Sequence, residues 1–477
     1  MVQIKFGTAG WRAVISDEFT IGNVRLVTQA IANYIKEQVT SDKREVVVGY
    51  DTRFMSENFA KVASTVLAAN GIRALITTRD VPTPAFAYEI LRKRALGGIN
   101  FTASHNPPEY NGIKFSPSWG GPALPETTDA IEKNCALLME GESSVRDISW
   151  ERGKEKGLIE YVDPQPEYIK RISELVNLEA IKKAKLKIAV DLLYGTGRDY
   201  LDAILKQAGC EVKVLHNWRD VLFGGSPPEP SFLYLGELVK TVKEEKYDLG
   251  LATDGDSDRF GIVDRDGTFI SPNQVLALLL NHLVKTRNWK GVVARSVMTT
   301  SFVDAIARIH DIQVKETPVG FKYIAQVMCQ NGMVIGGEES GGLTIQGHIP
   351  EKDGILACLL IAEMVACEGK SIGEILDDLY RKVGLFLSER INFHLKENEM
   401  ENLKAKLKKD LPQEIAGLKV DKTVNLDGLK FILADGSWLG IRLSGTEPVV
   451  RLYIEAHGAG ELEKLEKAGK KLIECRR

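Results

Sequence analysis

Paired cysteines, a basic stripe and a long apolar run are all missing from this chain of 477 residues. Its six cysteines (Cys135, Cys210, Cys329, Cys358, Cys367 and Cys475) are scattered and form no C-x-x-C pair. Reduced thiols are therefore expected, in the core or at the surface, rather than a disulfide framework. Lys plus Arg number 62 against 65 Asp plus Glu, so the overall field is weak and no nucleic-acid footprint is visible. An anionic ligand would have to be held by local clusters rather than by global steering. Residues 1–20 carry no signal-peptide h-region, and Met1 to Phe6 reads as a strand. The longest apolar run, Ile355 to Cys367, is broken by Glu363 and falls short of the roughly 18–20 residues of a bilayer span. Neither nucleic acid nor membrane is an expected partner, and the cytoplasm is the expected location.

What is present suits a multidomain globular chain. An apolar share of 44% and a charged share of 27% allow ordinary packed cores, and the length suggests about three to four domains. One unit is written three times. The first copy runs from the β-branched stretch Glu45 to Tyr50, through an amphipathic stretch Ser56 to Asn70, to a second strand Ile72 to Ile76. The second copy is Leu186 to Val190, a helical stretch Asp199 to Ala208, and Cys210 to Val214. The third is Gly291 to Ala294, Ser301 to Ile309, and Ile312 to Lys315. Strand, helix, strand at this spacing is a βαβ unit, which demands parallel strands covered by helices. Each copy then supplies a further apolar strand ending in an unusual loop: at Thr102, at Asp254 and at Gly336. Ligands bind outside the carboxyl ends of such strands, so the three loops are expected to share a cleft.

From about residue 388 the rhythm changes. Asp427-Gly428 and Asp435-Gly436 read as hairpin turns between apolar runs, flanked by charged amphipathic stretches at Glu397 to Asp410 and Gly460 to Cys475. The expected architecture is α/β: three tandem βαβ-containing mixed-sheet domains, at 1–152, 153–266 and 267–387, and a C-terminal α+β domain at 388–477, around a central cleft.

Three loops carry distinct chemistry. Thr102-Ala-Ser104-His105-Asn-Pro107 offers a hydroxyl after a buried strand, with His105 beside it and Lys114 ten residues on. A free serine needs an activating neighbour or must arrive already bearing a reactive group; taken alone, the segment is also a good helix-capping turn. Asp254, Asp256 and Asp258 alternate on one loop, and three hard oxygen donors suit Mg²⁺ or Ca²⁺. An EF-hand is excluded, because Arg259 stands at its glycine position and Arg265 at its glutamate position. Arg442, Ser444, Gly445, Thr446 and Arg451 combine guanidinium groups, hydroxyls and a glycine-enabled backbone, a pattern that holds phosphate.

Weaker signals complete the set. Glu338 and Ser340, among four glycines, could exchange hydrogen bonds with vicinal sugar hydroxyls. Gly195-Thr-Gly197 imitates a dinucleotide turn but has Tyr200 where the third glycine belongs. Phe6 to Arg12 and Asp51-Thr-Arg53 are strand-end turns bearing an arginine, and each reads equally well as a plain surface turn.

In this order, from Phe6 to Ile454, the motifs resemble those of the α-D-phosphohexomutase superfamily of phosphoglucomutases and phosphomannomutases. The resemblance implies four domains around a cleft, each giving one loop. It implies that Ser104 is the serine phosphorylated in the active enzyme, and that Asp254, Asp256 and Asp258 hold one Mg²⁺ per subunit, with the phosphoserine supplying a further oxygen. Arg259 would touch the phosphoserine or substrate, and Lys114 or His105 would be the acid/base group. Glu338 and Ser340 would contact the sugar, while Arg442, Ser444, Gly445, Thr446 and Arg451 would hold the non-reacting phosphate. Arg12, Lys322 and Lys352 match further substrate-facing positions. The implied reaction interconverts hexose 1-phosphate and hexose 6-phosphate through a hexose 1,6-bisphosphate. Glu338-Glu-Ser340 and His348 to Gly354 look like glucose-specific members, whereas the Thr446 to Arg451 segment looks like the mannose and glucosamine branches. Glucose is favoured, then mannose, then glucosamine. Two rivals differ in class. A haloacid-dehalogenase-type phosphatase would want Thr or Val where Asp258 stands, and a non-catalytic sugar-phosphate binder would not need Ser104 and all three aspartates intact.

Overall fold

The computed structural model describes residues 4–7, 10–38, 44–141, 144–409, 411–443 and 449–474. Its contacts divide the chain into two units, one of Met1–Pro272, Met328–Gln330 and Ser340–Ile372, the other of Asn273–Val327, Asn331–Glu339 and Gly373–Arg477.

The first unit holds two sheets built on one plan. In each, the first strand of the repeat lies at the centre, the second pairs with it on one side and the third on the other, all parallel. The first sheet sets Glu45–Tyr50 between Arg73–Thr77 and Gly97–Phe101. The second sets Lys187–Asp191 between Glu211–Leu215 and Leu249–Thr253. A fourth strand returns antiparallel against the third: Tyr110–Pro117 in the first sheet and Phe260–Asp264 in the second. Both chemical loops of this unit are the connections between third and fourth strands. The strands read as continuous apolar runs because both faces are covered, and Val46, Val47 and Val48 are fully buried.

Two local expectations differ. Ile4 to Phe6 forms no strand; the Phe6 N–H goes instead to Glu132 Oε1 at 2.6 Å, and the first strand is Trp11–Val14. The helix expected at Asp199 begins at Leu201. Asp199 lies in the left-handed region at φ 65° with its N–H on Asp202 Oδ1, so the preceding residues stay a loop. The apolar run after residue 354 is the helix Gly354–Glu368, capped by Asp353 and buried all round as far as Val365. Among the described residues no helix is long and apolar enough to cross a membrane. Cys135, Cys210, Cys329, Cys358 and Cys367 are free thiols, and Cys475 lies outside the described residues.

The second unit repeats the parallel trio with Val292–Ser296 between Gln313–Thr317 and Met333–Gly337. It also contains an antiparallel sheet in the order Leu387–His394, Val449–Ala456, Trp438–Leu443, Leu429–Leu433, Leu418–Val424 and Glu414–Ile415. The helices Glu397–Lys409 and Ala459–Ile473 accompany it. Val297 and Met298 pack against Trp438 and Tyr453 of this sheet. Lys430 is buried at that seam, its ammonium 3.8 Å from the centre of the Trp438 ring and 2.8 Å from the Val297 carbonyl oxygen.

Burial, aided by Arg295, lowers Lys430 from 10.5 to about 8. Between those values the unfolded chain holds a proton that the folded chain has lost, so stability rises with pH across the window from about 8 to 10.5. Relative to wild type, Lys430→Met should erase about 3 kcal/mol of that rise. Urea unfolding at pH 7.5 and 10 checks this; identical pH slopes in both proteins would contradict it.

Candidate active site

The serine loop is organised from beneath by an arginine that is completely buried. Arg53 follows the strand Glu45–Tyr50, and its Nη2 donates to the carbonyls of Ser104 (2.7 Å) and Asn106 (2.6 Å). Its Nη1 donates to those of Pro107 (2.8 Å) and Tyr110 (3.0 Å). Its Nε lies 3.2 Å from Asp51 Oδ2, and the guanidinium stacks 5.0 Å from the centre of the Phe223 ring. Four inward-turned carbonyls on one rigid fork define the loop's path. Ser104 itself is left-handed at φ 52°, a conformation that costs energy for any residue with a Cβ and persists where its surroundings impose it.

Ser104 Oγ donates to Asp254 Oδ2 at 2.7 Å and lies 3.4 Å from His105 Nδ1. The acidic loop comes this close because residue 255 is glycine: a Cβ there would sit 2.8 Å from the Ser104 carbonyl oxygen. Asp254, Asp256 and Asp258 are all fully buried, and each presents a carboxylate oxygen within 4.8 Å of the others. Three buried anions at that spacing repel strongly. Two lysines offset them. Lys114 Nζ is 2.7 Å from Asp256 Oδ2 and 3.5 Å from Asp258 Oδ2, and Lys352 Nζ is 2.5 Å from Asp258 Oδ2. Lys352 reaches Asp258 because residue 342 is glycine; a Cβ there would fall 2.2 Å from Lys352 Cδ. The opposite oxygens, Oδ1 of Asp256 and of Asp258, are buried and accept no hydrogen bond among the described residues. An all-carboxylate donor set with two such oxygens fits a hard divalent cation.

The electrostatics follow from burial and these charges. Burial alone would raise Asp256, yet the Lys114 and Lys352 ammoniums outweigh it and hold this carboxyl below the carboxylate range. Burial and the two acidic neighbours push Asp254 well above its ordinary value. Burial, then the charges of Arg259 and Arg12, press the His105 imidazole far below its usual range, so it is neutral. Burial lifts Glu351, next to Lys352, to about 7. Arg12 donates to Asn106 Oδ1 at 2.6 Å, at the rim of the serine loop.

One unit thus gathers Arg12, Ser104, His105, Lys114, the three aspartates, Arg259 and Lys352. Ser340 belongs to it as well, whereas Lys322, Glu338, Arg442 and Arg451 belong to the other. There, Glu338 Oε1 accepts the Gly320 N–H at 2.7 Å, where the helix Phe321–Asn331 begins with Lys322 in its first turn. Arg442 and Arg451 stand directly opposite each other on paired strands, an arrangement of like charges that is unfavourable without an anion between or beside them. Asp427 Oδ2, 3.1 Å from Arg442 Nε, is one such anion. Ser444, Gly445 and Thr446 lie outside the described residues.

Several supporting residues escape a reading of the sequence alone. Arg53 stands there in a strand-end turn that reads equally well as a plain surface turn. The truncated dinucleotide turn proves to be a buttress, with the Thr196 N–H on the Gly255 carbonyl (3.0 Å) and its hydroxyl on Ser257 Oγ (3.0 Å). Asp353 caps its helix through Oδ1 while its Oδ2 accepts from Tyr168 Oη and meets His348 Nε2, each at 2.7 Å. That locks the backbone beside Lys352. Their local patterns, an arginine-bearing turn, a glycine pair and the segment His348 to Gly354, do not disclose the partners that each of them holds.

A buried serine against a carboxylate triad, flanked by lysines and arginines, is an arrangement chemically suited to phosphoryl transfer on an anionic substrate. Comparison with known proteins makes the class specific. Family models match in sequence order: phosphoglucomutase/phosphomannomutase alpha/beta/alpha domain I at residues 3–140, domain II at 166–267, domain III at 271–383, and the C-terminal domain at 391–470. A phosphoglucomutase/phosphomannomutase of Thermococcus kodakarensis is 32% identical over 98% of both chains. A protein of Methanosphaera stadtmanae named probable phosphoglucosamine mutase is 31% identical, also over 98% of both. The solved structure of the Paramecium phosphoglucomutase parafusin in its open form superposes with a TM-score of 0.84 at 25% identity, covering 99% of this chain and 95% of that one. The chain belongs to the phosphoglucomutase/phosphomannomutase family of the α-D-phosphohexomutase superfamily, enzymes that transfer phosphate within sugar phosphates.

Proposed function

We propose that this enzyme interconverts hexose 1-phosphate and hexose 6-phosphate, with glucose the favoured sugar, by way of a phosphoserine at residue 104. The contact that carries the reading is Ser104 Oγ on Asp254, beside two buried carboxylate oxygens that accept no hydrogen bond among the described residues.

In the first half-reaction the bond from phosphorus to Ser104 Oγ breaks and a bond to the free sugar hydroxyl forms. Lys114 relays the proton, its ammonium protonating Ser104 Oγ as the P–O bond breaks and the resulting amine taking the proton of the sugar hydroxyl, with the neutral His105 imidazole the alternative acceptor, so that Ser104 Oγ ends as a hydroxyl donating to Asp254. The bisphosphate then turns over and the steps run backwards at the other phosphate. Mg²⁺ held by Asp254, Asp256 and Asp258 would offset the charge on the transferring group. Arg259 and Arg12 orient the phosphoryl oxygens, and Glu338, Ser340 and Lys352 orient the sugar. Lys322 and the loop from Arg442 through Ser444, Gly445 and Thr446 to Arg451 hold the phosphate that is not reacting. The two phosphates of the bisphosphate are chemically alike, so either one can be presented to Ser104.

A second reading, glucosamine phosphate as substrate, is favoured by relatives bearing that name at 30–32% identity. Steady-state assays with Mg²⁺ and a trace of hexose 1,6-bisphosphate separate the sugars. Glucose 1-phosphate is expected to show the highest kcat/KM. Equal values for mannose 1-phosphate would make the enzyme dual-specific, and turnover of glucosamine 1-phosphate alone would replace the glucose assignment.

A further inference from the structure

Thr83 is not part of any of the three chemical loops, yet it is bound to one of them twice. It opens the helix Thr83–Lys93 between two prolines, Pro82 and Pro84. A helix start leaves N–H groups without intrahelical partners. The Thr83 N–H is spent on the Asp256 backbone carbonyl at 2.8 Å, and its hydroxyl lies 2.6 Å from Asp256 Oδ2. Asn100 Nδ2 lies 3.1 Å from the same hydroxyl. All three residues are buried.

The direction of this chain follows from donor chemistry. An ionised carboxylate only accepts, so the single hydrogen of the Thr83 hydroxyl must point at Asp256. What remains to Asn100 is a lone pair, and its amide N–H supplies the donor. The Thr83 hydroxyl is thus held in one rotamer by Asn100 and in turn holds one carboxylate oxygen in place. Asn100 lies on the strand Gly97–Phe101, paired in register with Lys114, whose ammonium occupies the same Asp256 Oδ2 at 2.7 Å. Two donors, one from the first sheet and one from the helix Thr83–Lys93, therefore converge on Oδ2, and Oδ1 is left buried and without a hydrogen bond among the described residues. The segment carrying Thr83 is itself pinned to the second sheet's domain, because Arg198 Nη2 meets both carboxylate oxygens of Asp80 at 2.8 Å.

We propose that Thr83, oriented by Asn100, is a positioning residue for Asp256: it fixes the carboxylate so that Oδ1 faces the cation, and it makes cation affinity in one domain depend on a side chain from another. The proposal rests on reading the aspartate triad as a divalent-cation site. Partners that orient a ligand in this way typically change metal affinity by about 10–100-fold when removed.

The test is direct titration of Mn²⁺ into the full-length protein, followed by calorimetry and by the paramagnetic signal of the free ion, so that turnover plays no part. Thr83→Val keeps the shape and the helix start but lacks the hydroxyl, and should bind Mn²⁺ at least about 10-fold more weakly. Thr83→Ser restores the donor and should stay within about threefold of wild type. Thr83→Ala gives the same reading as Thr83→Val should the latter not fold. A wild-type chain that binds Mn²⁺, an Asp258→Asn variant that does not, and a Thr83→Val variant equal to wild type would together overturn the positioning role alone. Failure of the wild-type chain to bind Mn²⁺, or undiminished binding by Asp258→Asn, would overturn the cation-site reading and the proposal with it.

Discussion

Ser104→Ala should lower mutase turnover by at least about 10³-fold while leaving sugar-phosphate binding within about threefold. The oxygen it removes is the one that would carry the phosphoryl group, and two other hydroxyls at the acidic loop are already engaged, Ser257 Oγ with Thr196 and Thr83 Oγ1 with Asp256. Binding should survive because the phosphate and sugar contacts proposed above belong to other residues. The Asp254 carboxylate also keeps a partner in the variant, the Arg259 N–H at 3.0 Å on Oδ1. Steady-state kinetics and calorimetry with glucose 6-phosphate give the two numbers. Incubation with hexose 1,6-bisphosphate followed by peptide mass spectrometry adds a third readout, acid-stable phosphate at residue 104 in wild type and none in the variant. Full turnover by Ser104→Ala would sink the phosphoserine mechanism.

Arg53→Met should be the most damaging single change to the fold around the site. The guanidinium is fully buried and serves four carbonyls of the serine loop as well as Asp51. Methionine fills much of the volume but leaves those acceptors unpaired and the Asp51 charge buried without its partner, a loss of about 3–5 kcal/mol. Lysine should not rescue, since a single ammonium cannot span carbonyls that the planar fork reaches together. Loss of the loop's path moves Ser104, so kcat is expected to fall by about 10²-fold even where the protein remains folded. Thermal unfolding together with kcat measures both effects. An Arg53→Lys protein with wild-type melting and turnover would show that the loop is held by something else.

The two substitutions differ in how visible their residues are in the sequence. Ser104 and the three aspartates stand out because each follows an apolar strand, and because their local pattern is chemically extreme: a Ser-His-Asn-Pro turn, or three carboxylates at alternate positions. Arg53 and Thr83 do not, since what distinguishes them is a set of partners 17 to 173 positions away. The same holds for Thr196, whose glycine neighbours suggest a ligand turn when read along the chain and form a support when read in space. Where local expectation failed, as at Ile4 to Phe6 and Asp199, a side-chain carboxylate had captured a backbone N–H that a regular element would have used.

Taken by itself, the sequence determined the repeat, the parallel strands and the loops that follow their third members, because strand and helix periodicity and turn chemistry act over a few residues at a time. Tertiary structure alone decided which buried groups hold those loops in working geometry. A buried donor must find an acceptor wherever the fold puts one, and that pairing depends on distance in space rather than on separation along the chain.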